Sequence, residues 1–165
     1  MSDLAAGKFA MRRDLNWATA VHLLSEASFT LGDARFAEVI YPDVAQVADQ
    51  VGMSVGIKTE GALAHSAGLL AFLLGRRDDA DAHMAFAIAL NERIGAAPAA
   101  IASRRAYATM LIAHGDAGTA APLVSEALAR ADALELVAER DKLIALTDQL
   151  SVGPATLAVV VPARC

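Results

Sequence analysis

The side chains best equipped for chemistry crowd into one stretch, Gly75-Arg76-Arg77-Asp78-Asp79-Ala80-Asp81-Ala82-His83, with three aspartates, two arginines and a histidine. Asp79 and His83 stand four apart, so a helix would carry both on one face, at a spacing that can chelate a metal ion. Asp81 falls about 200° round such a helix from Asp79 and lies outside the pair. A metal site would need further carboxylates or imidazoles from elsewhere, and the sequence places none. The same residues also suit a joint between helices. Gly75 closes one helix, the aspartates meet the positive N-terminus of the next, and Asp79 and His83 fall on a solvated flank. The expectation is therefore a joint without a metal.

Other candidates lie on the helices before such joints. His22 and His65 occupy matching places in successive segments, as expected of residues about one repeat apart, and are read as packing or surface groups that could also touch a ligand. Arg104 and Arg105, followed by Tyr107, could clamp an acidic peptide end, because arginine is enriched at interfaces; equally they could form a solvated face. Ser25 shares the face of His22. Together His22, Ser25, His65, Arg104, Arg105 and Tyr107 are the candidate partner-binding residues. His114 precedes Gly115, where the negative end of a helix favours a cation, and Trp17 is expected to fill the end of the core. No serine or cysteine stands in a recognised nucleophile motif, and no glycine-rich loop offers to cradle phosphate. The expectation is a protein without catalysis, cofactor or metal.

The elements that position these residues repeat. Aligned on Gly32, Gly75 and Gly115, three segments carry a small residue seven positions earlier (Ser25, Gly68, Ala108) and alanine five later (Ala37, Ala80, Ala120). Twelve positions later come Val44, Ala87 and Ala127. The period is roughly 40 residues, the length of a helix pair. Small residues where helices cross let backbones approach, and glycine takes the left-handed conformation that ends a helix. Asp33, Asp78 or Asp79, and Asp116 are placed to cap each second helix. Helices are predicted at about 14–31, 33–51, 58–74, 78–94, 98–114, 117–134 and 137–150, with "VGMSVGIK" (51–58) and "GAAPAA" (95–100) as loops. Pro98 suits a first helical turn.

The small–Gly–Ala–Ala pattern of Gly68, Gly75, Ala80 and Ala87 resembles the tetratricopeptide repeat, although these units exceed its standard length of about 34 residues. Residues of about 14–150, through "NWATAVHLLSEASFTLGDARFAEVIYPDVA", "HSAGLLAFLLGRRDDADAHMAFAIALNERIGAAP" and "RRAYATMLIAHGDAGTAAPLVSEALARA", also resemble the C-terminal repeat region of bacterial LuxR-type and cyclase-associated signalling ATPases. The resemblance implies an all-α fold: a right-handed α-solenoid of about three helix pairs plus a capping helix, "AERDKLIALTDQL". It further implies an interaction or sensor array. The chain has no Walker A sequence, and "SVGPATLAVVVPARC" is too short for a DNA-binding helix-turn-helix, so ATP hydrolysis and DNA binding do not carry over.

Composition narrows the function classes. At 165 residues the chain can bury a real core. Its net charge of −5 and pI near 5.3 argue against direct nucleic-acid binding, because the paired arginines 12–13, 76–77 and 104–105 form no stripe. Hydrophobic residues make up 56% and mean hydropathy is +0.42, but much of this is alanine, and no run reaches the ~18 residues of a membrane span. Cys165, the lone cysteine, can form no intramolecular disulfide, and its place does not suit prenylation. The opening lacks a signal-peptide core. The expected organisation is an N-terminal arm (1–13), a repeat domain (14–150) and a flexible or docking tail (151–165) in a cytoplasmic protein. The expected function is a non-catalytic interaction module. It would act as an adaptor or sensor in bacterial signalling or transcription regulation, with a protein or peptide in its concave groove and self-association possible. The alternative is a small-ligand-binding protein or enzyme using the inner helical face.

Overall fold

Five turns of one design organise the helices. After five of the described helices the chain passes through a left-handed residue: Gly32, Gly75, Gly95, Gly115 and Glu135 have φ of 64°, 70°, 71°, 80° and 54°. In each, the amide of that residue and the next donate back to carbonyls of the last helical turn, as Gly75 does to Phe72 and Arg76 to Ala71. This pair of bonds satisfies carbonyls that the helix end leaves without partners. The last four turns fall twenty residues apart, so the repeating element is a single helix with its turn. The computed structural model describes residues 14, 16–54 and 58–152. The expected arm 1–13, and the tail beyond 152, lie outside the described residues.

The chain divides into two compact units, 1–96 and 97–165. The first contains α1 (Trp17–Leu31), α2 (Arg35–Ala45), β1 (Val51–Ser54), β2 (Lys58–Ala62), α3 (Leu63–Leu73) and α4 (Arg77–Arg93). The second contains α5 (Ala97–Ala113), α6 (Ala117–Ala133) and α7 (Val137–Val152). Mostly helical architecture follows the sequence expectation, and no helix among the described residues is long and apolar enough to cross a membrane.

In the first unit α3 is the central element. Its sequence LAHSAGLLAFL is apolar nearly all round, and every residue from Leu63 to Ala71 is buried. Such a helix needs neighbours on several sides; here α1, α2, α4 and β2 supply them. Gly68 sits where α4 crosses, with Met84 filling the space a Cβ would need. On α4 the stripe Ala80, Met84 and Ala87 is buried, as expected. All three sets of aligned small positions, from Ser25 through Ala127, are inaccessible. Trp17 is also buried at the start of α1.

The β-hairpin corrects the sequence reading. Residues 51–58 were expected as a loop and 58–74 as a helix, yet β1 and β2 pair antiparallel, Val51 with Ala62 and Gly52 with Gly61. The register shifts after Gly52, leaving Met53 opposite Thr59. Gly61 at φ 83° and the Thr59 hydroxyl, which accepts the Gly61 amide at 3.0 Å, shape this irregularity. Buried Asn91 of α4 then accepts the Ala62 amide at 2.8 Å and ties the hairpin to the helix layer. The hairpin ends α2 at Ala45, well short of residue 51, and delays α3 to Leu63.

In the second unit α6 packs against both α5 and α7. Ile101, Ala108, Leu111, Val124, Ala127, Leu143 and Leu146 meet in its core, with Tyr107 packed at the edge. Pro98 falls in the first turn of α5. Asp116 caps α6 as expected, accepting the Thr119 amide at 3.1 Å. At α2 the N-cap is Ala34, with no side-chain capping bond; Asp33, expected there, accepts the Arg35 amide at 3.0 Å and pairs with the Arg35 guanidinium. At α4 the expectation fails: Arg76 holds the N-cap without a side-chain capping bond, and Asp78 and Asp79 lie inside the first turn.

Candidate functional site

On α1, His22, Ser25 and Glu26 rise within one helical turn of each other, and α3 carries His65 opposite them. Glu26 Oε1 lies 2.7 Å from His65 Nε2, and the His22 and His65 rings are 5.7 Å apart between centroids, tilted by 41°. His65 is 3% exposed and so enclosed, while its partner Glu26 and His22 remain partly accessible. The spacing expected of residues one repeat apart is not what the fold makes: α1 and α3 pack directly and bring the histidines side by side. Glu26 was not singled out from sequence, although its position four residues after His22 places it on the same face. Ser25 and Ser28 are fully buried, and their hydroxyls find no hydrogen-bond partner among the described residues. Burial therefore removes Ser25 and His65 from the exposed binding face expected of them.

The charged stretch that opens α4 meets a residue no local pattern signals. Tyr41 of α2, 42 positions from His83, brings its hydroxyl to 3.3 Å from His83 Nε2. The Arg76 guanidinium stacks 4.7 Å from the centre of the Tyr41 ring and bonds Asp79 at 2.6 Å. Burial pushes His83 below the ordinary imidazole value; Asp79 opposes this and Arg76 adds to it. Burial likewise raises the Tyr41 phenol, so both groups are held towards their neutral forms. Asp79 is thus bonded to Arg76, and His83 to Tyr41. Among the described residues no group of three or more His, Cys, Asp or Glu side chains is arranged to hold a metal ion.

The arginine candidates of α5 are committed within their own unit. Arg104, 6% exposed, reaches Glu126 of α6 at 2.8 Å. Arg105 Nε donates to Glu139 of α7 at 2.8 Å, and Lys142 bonds the other oxygen of the same carboxylate at 2.6 Å. Burial raises the Glu139 carboxyl, but the bonds from Lys142 and Arg105 outweigh it and hold the group below its ordinary value. The expected clamp for an acidic peptide is corrected accordingly: these arginines tie α5 to α6 and α7, because two internal glutamates already neutralise them. Of the candidates, His22, Arg105 and Tyr107 remain partly accessible. Sequence missed Glu126 and Glu139 because ion pairs 22 and 34 residues apart leave no local pattern.

No family model, curated protein or solved structure matches this chain.

Proposed function

We propose that this chain is a non-catalytic interaction module, built as a right-handed α-solenoid of tetratricopeptide-like helix pairs. It would serve as an adaptor or sensor in bacterial signalling or transcription regulation. The observation that carries the reading is the recurrence of one helix-closing turn at Gly75, Gly95, Gly115 and Glu135, twenty residues apart. A chain that repeats one helix and one turn makes similar neighbouring surfaces, the design by which repeat proteins bind extended partners. The partner is a protein or peptide lying along the first helix of each pair, with His22 and Tyr107 as accessible contacts. Preformed helices lose little conformational freedom on docking.

The test begins with capture from the native cell using the full chain, then purification of each captured protein and direct calorimetry. Stoichiometric binding that weakens in His22→Ala or in Tyr107→Ala supports the reading. Failure of every captured protein to bind directly overturns it, and so does binding indifferent to both changes.

One observation favours a second reading, a small-ligand site on the inner helical face: His22, Glu26 and His65 converge there, on helices α1 and α3. Shifts of the His22 and His65 imidazole resonances on adding a metabolite mixture, absent in a His22→Ala/His65→Ala variant, would support it.

A further inference from the structure

The outward face of α4 is unusual for a charged helix. Directly opposite its buried stripe, Asp78, Ala82, Ala85, Phe86, Ala89 and Arg93 are all exposed. At 3.6 residues per turn these six fall within about 100° of one another and form one continuous strip. Phe86 stands at its centre, 43% exposed, between alanines that keep the helix surface low. Asp78 and Arg93 close its two ends, and neither forms an ion pair or a side-chain hydrogen bond among the described residues. The neighbouring charges differ: Arg76 is engaged by Asp79, and Arg77 lies 3.8 Å from Asp81.

The strip is also self-complementary. Its midpoint falls between Ala85 and Phe86; Asp78 and Arg93 are equidistant from it, as are Ala82 and Ala89. We infer that this face binds a second copy of the chain, α4 against α4 in antiparallel fashion about a two-fold axis through that midpoint. In this pairing Asp78 of each copy faces Arg93 of the other. Each Phe86 lies over the other copy's Ala85, and Ala82 faces Ala89. Small residues let the two helices approach closely, antiparallel dipoles attract, and a two-fold contact must join a patch to itself. A parallel pairing would set Asp78 against Asp78 and Arg93 against Arg93, which the charges oppose. The inference rests on this face alone and is independent of the adaptor reading.

A single helix face is small beside the ~800 Å² per partner of a standard interface, so the dimer is weak, with a dissociation constant of about 10–100 μM. Sedimentation equilibrium of the full chain, under reducing conditions that keep Cys165 from cross-linking, should show a monomer–dimer equilibrium. Phe86→Asp should leave a monomer. Asp78→Arg and Arg93→Asp should each weaken self-association about tenfold or more, since like charges then meet. Mixing the two charge variants should restore a dimer, because each copy then supplies the opposite sign at both ends. Circular dichroism verifies that every variant is folded; for any charge variant that is not, Asp78→Asn and Arg93→Gln replace the pair, each expected to weaken the wild-type dimer. A wild-type monomer up to about 1 mM would overturn the inference. So would a dimer indifferent to Phe86→Asp, or folded charge variants whose mixture associates no better than either alone.

Discussion

Gly68 and Met84 occupy the same space to within an atom: a Cβ on Gly68 would fall 2.8 Å from Met84 Cε and 2.9 Å from Met84 Cγ. Met84 is fully buried, so it has little room to withdraw. Replacing glycine inside a helix gains up to about 1 kcal/mol of propensity, but overpacking a filled core costs about 1–3 kcal/mol. Gly68→Ala should therefore destabilise the first unit by about 1 kcal/mol net, read from urea denaturation. Adding Met84→Ala to it should cost less than the sum of the two single changes.

Glu135 performs a task given elsewhere to glycine. At φ 54° it carries the left-handed strain that Gly75, Gly95 and Gly115 avoid. Glu135→Gly should raise stability by about 1 kcal/mol, visible as a higher melting temperature. Gly95 and Gly115 have nothing within 4 Å of a built Cβ, so alanine there meets backbone strain without a clash. Gly115→Ala should lower stability by about 1 kcal/mol.

Ser25 and Ser28 each bury a hydroxyl that has no partner among the described residues. Removing a buried polar atom that makes no bond relieves its desolvation, so Ser25→Ala and Ser28→Ala should be neutral or stabilising by up to about 1 kcal/mol. Loss of more than that in either variant, measured by chemical denaturation, would show that its hydroxyl is engaged.

Arg105 and Glu139 join α5 to α7 at 2.8 Å, mostly shielded from water. Arg105→Met should destabilise the second unit by about 1–2 kcal/mol, because Glu139 then keeps only Lys142. The folded Glu139 carboxyl lies below its ordinary value of 4.5. Its contribution is thus complete above that pH and fades as pH falls through the lower folded value. Arg105→Met should flatten this part of the acid-unfolding curve.

His83 titrates in the opposite chemical sense, from a neutral folded form. Burial lowers its folded value beneath 6.5, so the unfolded chain takes up the proton first as pH falls. Stability of the first unit should decline as pH drops from about 6.5 towards the folded value, then level off below it. Imidazole NMR titration should place His83 below a free histidine. Tyr41→Phe, which removes the hydroxyl 3.3 Å away, should leave that direction unchanged because burial is its main cause.

How far the sequence could be read depended on the range of each signal. The helix-closing turns at Gly32, Gly75 and Gly115 were legible because glycine's access to positive φ is a property of the local backbone. The buried stripe Ala80, Met84 and Ala87 was legible for a similar reason, since helical periodicity shows which side chains share a face. The hairpin at 51–62 was not, because its glycines mimic a loop and its pairing needs a partner strand. Glu135 in the left-handed conformation was equally invisible, since that residue type gives no turn signal.

The candidate site was decided almost wholly by tertiary contacts. Sequence named His22 and His65 as equivalents, but packing of α1 on α3 set their rings side by side and buried His65 against a partly exposed Glu26. It left Arg104 and Arg105 as either a clamp or a solvated face, whereas the helices of their own unit supply Glu126 and Glu139 as partners. It placed Asp79 and His83 on a solvated flank, and the fold set them against Arg76 and Tyr41. Helical period and turn chemistry are written in neighbouring residues. The partner of a charged side chain depends on which distant element burial brings beside it, and that only the folded chain determines.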